Sequence, residues 1–213
     1  ALGDFTYMHS LIFRSSKFTF LLLAVISFPI LLETEMILQL WLNMVPAYTV
    51  VFVRLMLCIT IIDAMGGAFM VAAQSTGRVR FYQSVVGGIL LAIVPVSYVV
   101  LRLGAAPWSV FLIHFCVCTV AFFVRLFIIR SMIHLSLYSY FHAVLLRCLY
   151  VLLLAMPLPI GLLYIFPATL WAGISVCFVS VLTISLSSYR VGLAEGERKF
   201  IKEKIRMVLS KSN

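Results

Sequence analysis

Asp63 stands in the run Thr60-Ile61-Ile62-Asp63-Ala64-Met65-Gly66-Gly67, and the nearest charged residue along the chain is Arg54. A carboxylate in so apolar a stretch is expensive if lipid surrounds it. It is therefore expected to face a watery cavity or to pair with a cation. A structural hydrogen bond to a neighbouring helix is the alternative. Arg54 precedes it by nine residues, which is about 180° around a straight helix, so these two are not expected to pair. Arg54 either snorkels to an interface or faces a cavity, and the sequence leaves both open. Gln74 lines a polar passage or caps a helix end. Glu33 and Glu35 are two apart, so at most one can look into a bundle. Arg125 and Arg147 read first as side chains that snorkel to the nearer interface, with a pathway role for Arg125 as the alternative. Glu33, Arg54, Asp63, Gln74 and Arg125 are thus the candidates for a substrate or ion pathway.

Other chemistries find no footing. There is no phosphate-cradling glycine loop ending in Lys and Ser or Thr, and no His-Glu-x-x-His. Gly173-Ile174-Ser175 lacks the closing glycine of a nucleophile elbow. His9, His114, His134 and His142 are scattered, and no metal or cofactor is expected. Cys58, Cys116, Cys118, Cys148 and Cys177 all lie in apolar runs and read as small apolar residues. The expectation is a protein that is not an enzyme.

The elements that must carry these residues are membrane spans. Charged residues make up 11% of the chain and hydrophobic ones 64%, against about 25% charged in a soluble domain. Crossing a bilayer takes about 20 apolar residues. Residues 18–40, 48–73, 81–101, 108–129, 143–166 and 168–189 each meet that length. The predicted fold class is therefore all-α, a polytopic membrane bundle of about six helices over residues 1–190, followed by a basic tail over 191–213. Pro29, Pro95, Pro157 and Pro159 break hydrogen bonds within the runs, and Gly66-Gly67 and Gly87-Gly88 permit close helix approach.

Net charge is +9, but the basic residues occupy gaps between apolar runs. That is a topology signal, not a groove for nucleic acid. Arg14 and Lys17 precede the first run, Arg78 and Arg80 follow the second, Arg130 and Arg147 flank the fourth gap, and Arg190 and six more follow the last. The gaps between hold Arg102 alone. Lys and Arg collect on the cytoplasmic side, so both termini are expected there. Trp41, Tyr48 and Trp108 fall at the opposite interface, where amphipathic rings prefer to sit. In the tail, Phe200, Ile201, Ile205, Val208 and Leu209 recur at helical spacing. Arg198, Lys199, Lys202, Lys204 and Arg206 cover the remaining faces, which reads as an amphipathic helix on the lipid surface.

Particular stretches also carry a resemblance. Ile37-Leu38-Gln39-Leu40-Trp41-Leu42 followed by Val45-Pro46-Ala47-Tyr48 resembles the polysaccharide transporter branch of the multidrug/oligosaccharidyl-lipid/polysaccharide exporter superfamily. Gln74-Ser75-Thr76-Gly77-Arg78-Val79-Arg80-Phe81-Tyr82-Gln83, Pro95-Val96-Ser97-Tyr98 and the ending from Tyr189 through Gly192-Leu193 to Glu197-Arg198 are similar to it as well. The resemblance implies an O-antigen or capsule flippase of the bacterial inner membrane. Such a protein moves an undecaprenyl-pyrophosphate-linked oligosaccharide by alternating access, with a proton or sodium ion as a possible coupling partner. It further implies a fold of about twelve to fourteen helices in two lobes. This chain, which opens Ala1-Leu2-Gly3-Asp4, would be the C-terminal portion of such a protein, with an N-terminal lobe as its partner. The alternatives are another exporter of that superfamily (a drug/cation antiporter or a peptidoglycan-precursor flippase) and a six-helix membrane enzyme or accessory subunit.

Overall fold

The computed structural model describes residues 5–42, 44–165, 169–194 and 196–198. Among them all regular structure is helical. Six stretches are long and apolar enough to cross a membrane: Tyr7–Leu32, Thr49–Ser75, Val79–Arg102, Ser109–Ile133, Leu137–Ile165 and Leu170–Gly192. The chain is a multi-pass α-helical membrane protein.

Most spans are interrupted, and each break has a local cause. The first is α1 (Phe5–Leu32), which a short α2 (Thr34–Trp41) follows beyond the end of the span at Leu32. Between them Glu33 leaves helical geometry at φ −106°, ψ 32°, and the Thr34 hydroxyl donates back to the Ile30 carbonyl at 2.6 Å. The second is α3 (Thr49–Met65) and α4 (Gly67–Ser75), jointed at Gly66. There the Phe69 amide turns to the Gly66 carbonyl at 3.1 Å. The third is α5 (Val79–Leu91) and α6 (Ile93–Arg102); Pro95 has no N–H to give the Leu91 carbonyl, so the helix parts there. The fourth, α7 (Ser109–Ile133), is unbroken. The fifth comprises α8 (Leu137–Tyr140), a π-helical turn Phe141–Leu145, α9 (Leu146–Ala155) and α10 (Pro157–Ile165), where Pro157 and Pro159 part the last two. The sixth is α11 (Leu170–Ser187) running into a second π-helical turn, Ser188–Gly192.

The spans form two groups of three. One is α3/α4, α5/α6 and α7; the other is α1, α8–α10 and α11. They meet where α1 lies on α3 and α4. Aromatic rings fill that seam: Phe69 and Tyr140 are fully buried, their centroids 5.4 Å apart, with Phe13 5.6 Å from Tyr140 and Phe122 5.6 Å from Phe69.

The connections sort by charge. His9 bonds the Ile133 carbonyl at 2.9 Å and Thr76 approaches the Met132 sulfur at 3.7 Å. The start of α1, the α4–α5 turn, the α7–α8 turn and the end of α11 therefore share one end of the bundle. Arg14, Arg78, Arg80, Arg130, Arg190 and Arg198 lie there. Trp41, Tyr48, Trp108 and Trp171 are exposed at the other end, where Arg102 ends α6.

The first helix corrects an expectation. It begins at Phe5, not at residue 18, and so takes Arg14 and Lys17 inside it. Lys17 is buried because Glu197 neutralises it at 2.6 Å. A hydropathy reading stops at a lysine whose partner is 180 residues away.

Candidate functional site

The span formed by α3 and α4 presents one face that its neighbours leave uncovered. Met56, Thr60, Asp63, Gly67, Val71 and Gln74 are all exposed, while Ile59, Met65, Phe69, Ala72 and Ala73 face the core. Asp63 and Gln74 are eleven residues apart, close to three whole turns, so they share this face. The stripe carries a hydroxyl, a carboxylate and a glycine at Thr60, Asp63 and Gly67 in the middle of the span, and the Gln74 amide at its end.

Behind the stripe sits Arg125 of α7. Its Nη1 donates to Asp63 Oδ1 at 2.8 Å. The pair is asymmetric: the arginine side chain is 12% exposed and the aspartate 57%. The guanidinium reaches its place by lying over Gly66, where an added Cβ would collide with Nη1 and come within 3.3 Å of Cδ. The joint in the helix and the seat of the arginine are thus one residue. The bend costs the Met65 carbonyl its ordinary partner, and the buried Ser16 hydroxyl of α1 donates to it at 3.0 Å. Arg125 Nε is buried with no hydrogen-bond partner among the described residues. Inside α7, Arg125 lies eight residues from its last residue, Ile133, about 12 Å of helix. It does not snorkel to the basic end; a nearby carboxylate holds it at depth.

The other candidates are elsewhere. Arg54 Nε donates to the Thr34 hydroxyl at 3.3 Å, tying α3 to the start of α2, and it does not meet Asp63. Glu33 and Glu35 both line a cleft of about 490 Å³ with Met36, Gln39, Thr169 and Gly173. The rule that only one could face inward assumed a straight helix, and the break at Glu33 removes that assumption. Partial burial raises the Glu33 carboxyl above its usual range by desolvation. The two glycine pairs also divide. Gly66 is packed against Arg125, whereas Gly67, Gly87 and Gly88 have open space where a Cβ would stand.

A second ion pair was not legible in the sequence. Lys17 Nζ and Glu197 Oε2 lie 2.6 Å apart with side chains 4% and 6% exposed. The same oxygen accepts the Ala194 amide at 2.7 Å, and Arg14 stands 3.9 Å from the other oxygen. Arg198, expected on a lipid-facing helix, instead turns back. Its guanidinium donates to the Arg190 carbonyl and to the Leu193 carbonyl at 3.2 Å, and it stacks over the Tyr189 ring. Lys199, Lys202, Lys204 and Arg206 lie outside the described residues.

Searches against family models, curated proteins and solved structures find no match for this chain.

Proposed function

We propose that this chain is part of a transporter that moves a lipid-linked oligosaccharide, of the undecaprenyl-pyrophosphate type, across the bacterial inner membrane by alternating access. The observation that carries the reading is the exposed polar stripe Thr60–Asp63–Gly67–Gln74 with Arg125 paired behind it. A carboxylate 57% uncovered at mid-span is too costly to leave against acyl chains. It belongs on the wall of a water-filled cavity that further helices close. Arg125 supplies a fixed cation for an anionic headgroup, and its unused buried Nε is a further donor beside the site. Sugars find hydrogen-bonding partners in Thr60 and Gln74. Asp63 holds Arg125 when no anion is present and is the natural group to couple a proton or sodium ion. The joint at Gly66 lets α3 and α4 tilt relative to each other, which suits a rocking wall. The resemblance of the Leu40-Trp41-Leu42 and Thr76-Gly77-Arg78 stretches to polysaccharide exporters supplies the substrate class, and the arginines gathered at one end of the bundle support a cytoplasmic side there.

The test is Asp63→Ala in the full-length protein. Polysaccharide export should fall at least about tenfold, a barrier change of roughly 1.4 kcal/mol, while membrane insertion and amount stay unchanged. Normal export from that variant removes the assignment.

A further inference from the structure

We propose that the α7–α8 turn is a binding site for the phosphate of an anionic phospholipid. A cleft of about 540 Å³ opens there, lined by Arg130, His134, Leu135, Ser136, Leu137 and Tyr138. It is separate from the Asp63 stripe and does not depend on the transport reading.

The turn is preformed. His134 adopts φ 54° and ends α7 in the left-handed region, which a non-glycine residue adopts at a cost. Leu135 is buried and pins the chain on the far side. Ser136 accepts the Ser139 amide at 3.3 Å and closes the start of α8. The outcome is an exposed imidazole, a hydroxyl and the Arg130 guanidinium gathered on one concave surface. Arg130 has no acidic partner among the described residues. A guanidinium fork with hydroxyl and imidazole donors beside it is suited to phosphate oxygens.

Position selects a lipid over a free ion. The cleft lies where Ser109–Ile133 ends and Leu137–Ile165 begins, at the basic end of the bundle. That is the level of headgroup phosphates. Three residues further into the spans from Arg130 and from Tyr138, Phe127 and Phe141 are exposed, apolar surface at the depth of an acyl chain. Soluble phosphate would use the cations and ignore this apolar shelf.

The test uses the purified full-length protein in mixed micelles, with phosphatidylglycerol retention read by native mass spectrometry against phosphatidylcholine. Arg130→Gln should reduce retention of the anionic lipid about fivefold, the effect of one basic contact at the membrane surface. Arg130→Lys should restore part of it. Arg78→Gln removes the same charge from the same end and should leave retention near wild type. His134→Gly relieves the backbone while removing the imidazole, so it should weaken retention without loss of thermal stability. Equal losses from Arg78→Gln and Arg130→Gln would mean diffuse attraction and overturn the site. Displacement of the lipid by millimolar inorganic phosphate would overturn its assignment to a lipid.

Discussion

Two ion pairs link distant parts of this chain, and they differ in what surrounds them. Lys17–Glu197 joins α1 to the segment after α11, with both side chains nearly fully covered. Asp63–Arg125 joins α3 to α7, with the cation covered and the anion more than half open. The first has every surrounding group supplied by the protein, down to an amide on the carboxylate. The second has an open side that something outside these helices must fill. The enclosed pair can act only within the fold, whereas the open side of Asp63 is what the proposed transport site requires.

The largest expected effect comes from breaking the enclosed pair. Lys17→Met strands Glu197 in the interior and should cost about 3–5 kcal/mol, read as a lowered unfolding temperature of the full-length protein in detergent. Lys17→Met with Glu197→Leu should recover much of that loss, because an apolar pair needs no partner. Asp63→Ala also leaves the mostly covered Arg125 without its carboxylate, but the open side of this pair lets water reach the site, so the stability loss should be smaller than that of Lys17→Met while export falls. If the two pairs behaved alike in both assays, the distinction between them would be gone.

Gly66→Ala is intermediate. Its backbone, at φ −71° and ψ −14°, accepts alanine, so the cost is that of moving the Arg125 guanidinium aside, with the Asp63 carbonyl also close at 3.1 Å, and should be about 1 kcal/mol. Arg125→Ala should make the same change tolerable, since the colliding group is gone. Additive losses in the double variant would contradict the packing described.

The smallest effect concerns Glu33. Its carboxyl is raised in the folded state by desolvation, so the folded chain holds its proton to higher pH than the unfolded one. Stability should therefore fall slightly as pH rises from near 4.5 through the raised value. Glu33→Gln should flatten that slope, and an unchanged slope would show that the cleft does not desolvate it.

Much of this architecture could be read from the chain, because the spans are marked by apolar length alone and their breaks by Pro95, Pro157 and a glycine pair. The end of the bundle that collects arginines was legible for the same reason. Asp63 was visible as a polar residue at depth and Gln74 as one near a helix end; that they share an exposed face emerged only from the structure. What was not legible involves partners far apart in sequence. Arg125 read as an interfacial side chain because Asp63 lies 62 residues away. Lys17 read as the flank of a helix it is buried in. Glu33 and Glu35 were assigned to a straight helix whose break at Glu33 has no proline or glycine at that position to announce it.

On the proposed reading, the Asp63 face of α3/α4 looks into water within the membrane. Cysteine placed at Thr60 or Gly67 leaves the Asp63–Arg125 pair in place and samples that face directly. In full-length protein with its native cysteines replaced, both positions should react with a charged, membrane-impermeant thiosulfonate. Leu182→Cys, exposed on α11, should not. If Thr60→Cys and Gly67→Cys resist the charged reagent and react only with a lipid-soluble maleimide, the stripe faces acyl chains or packed helix, and the cavity is not there.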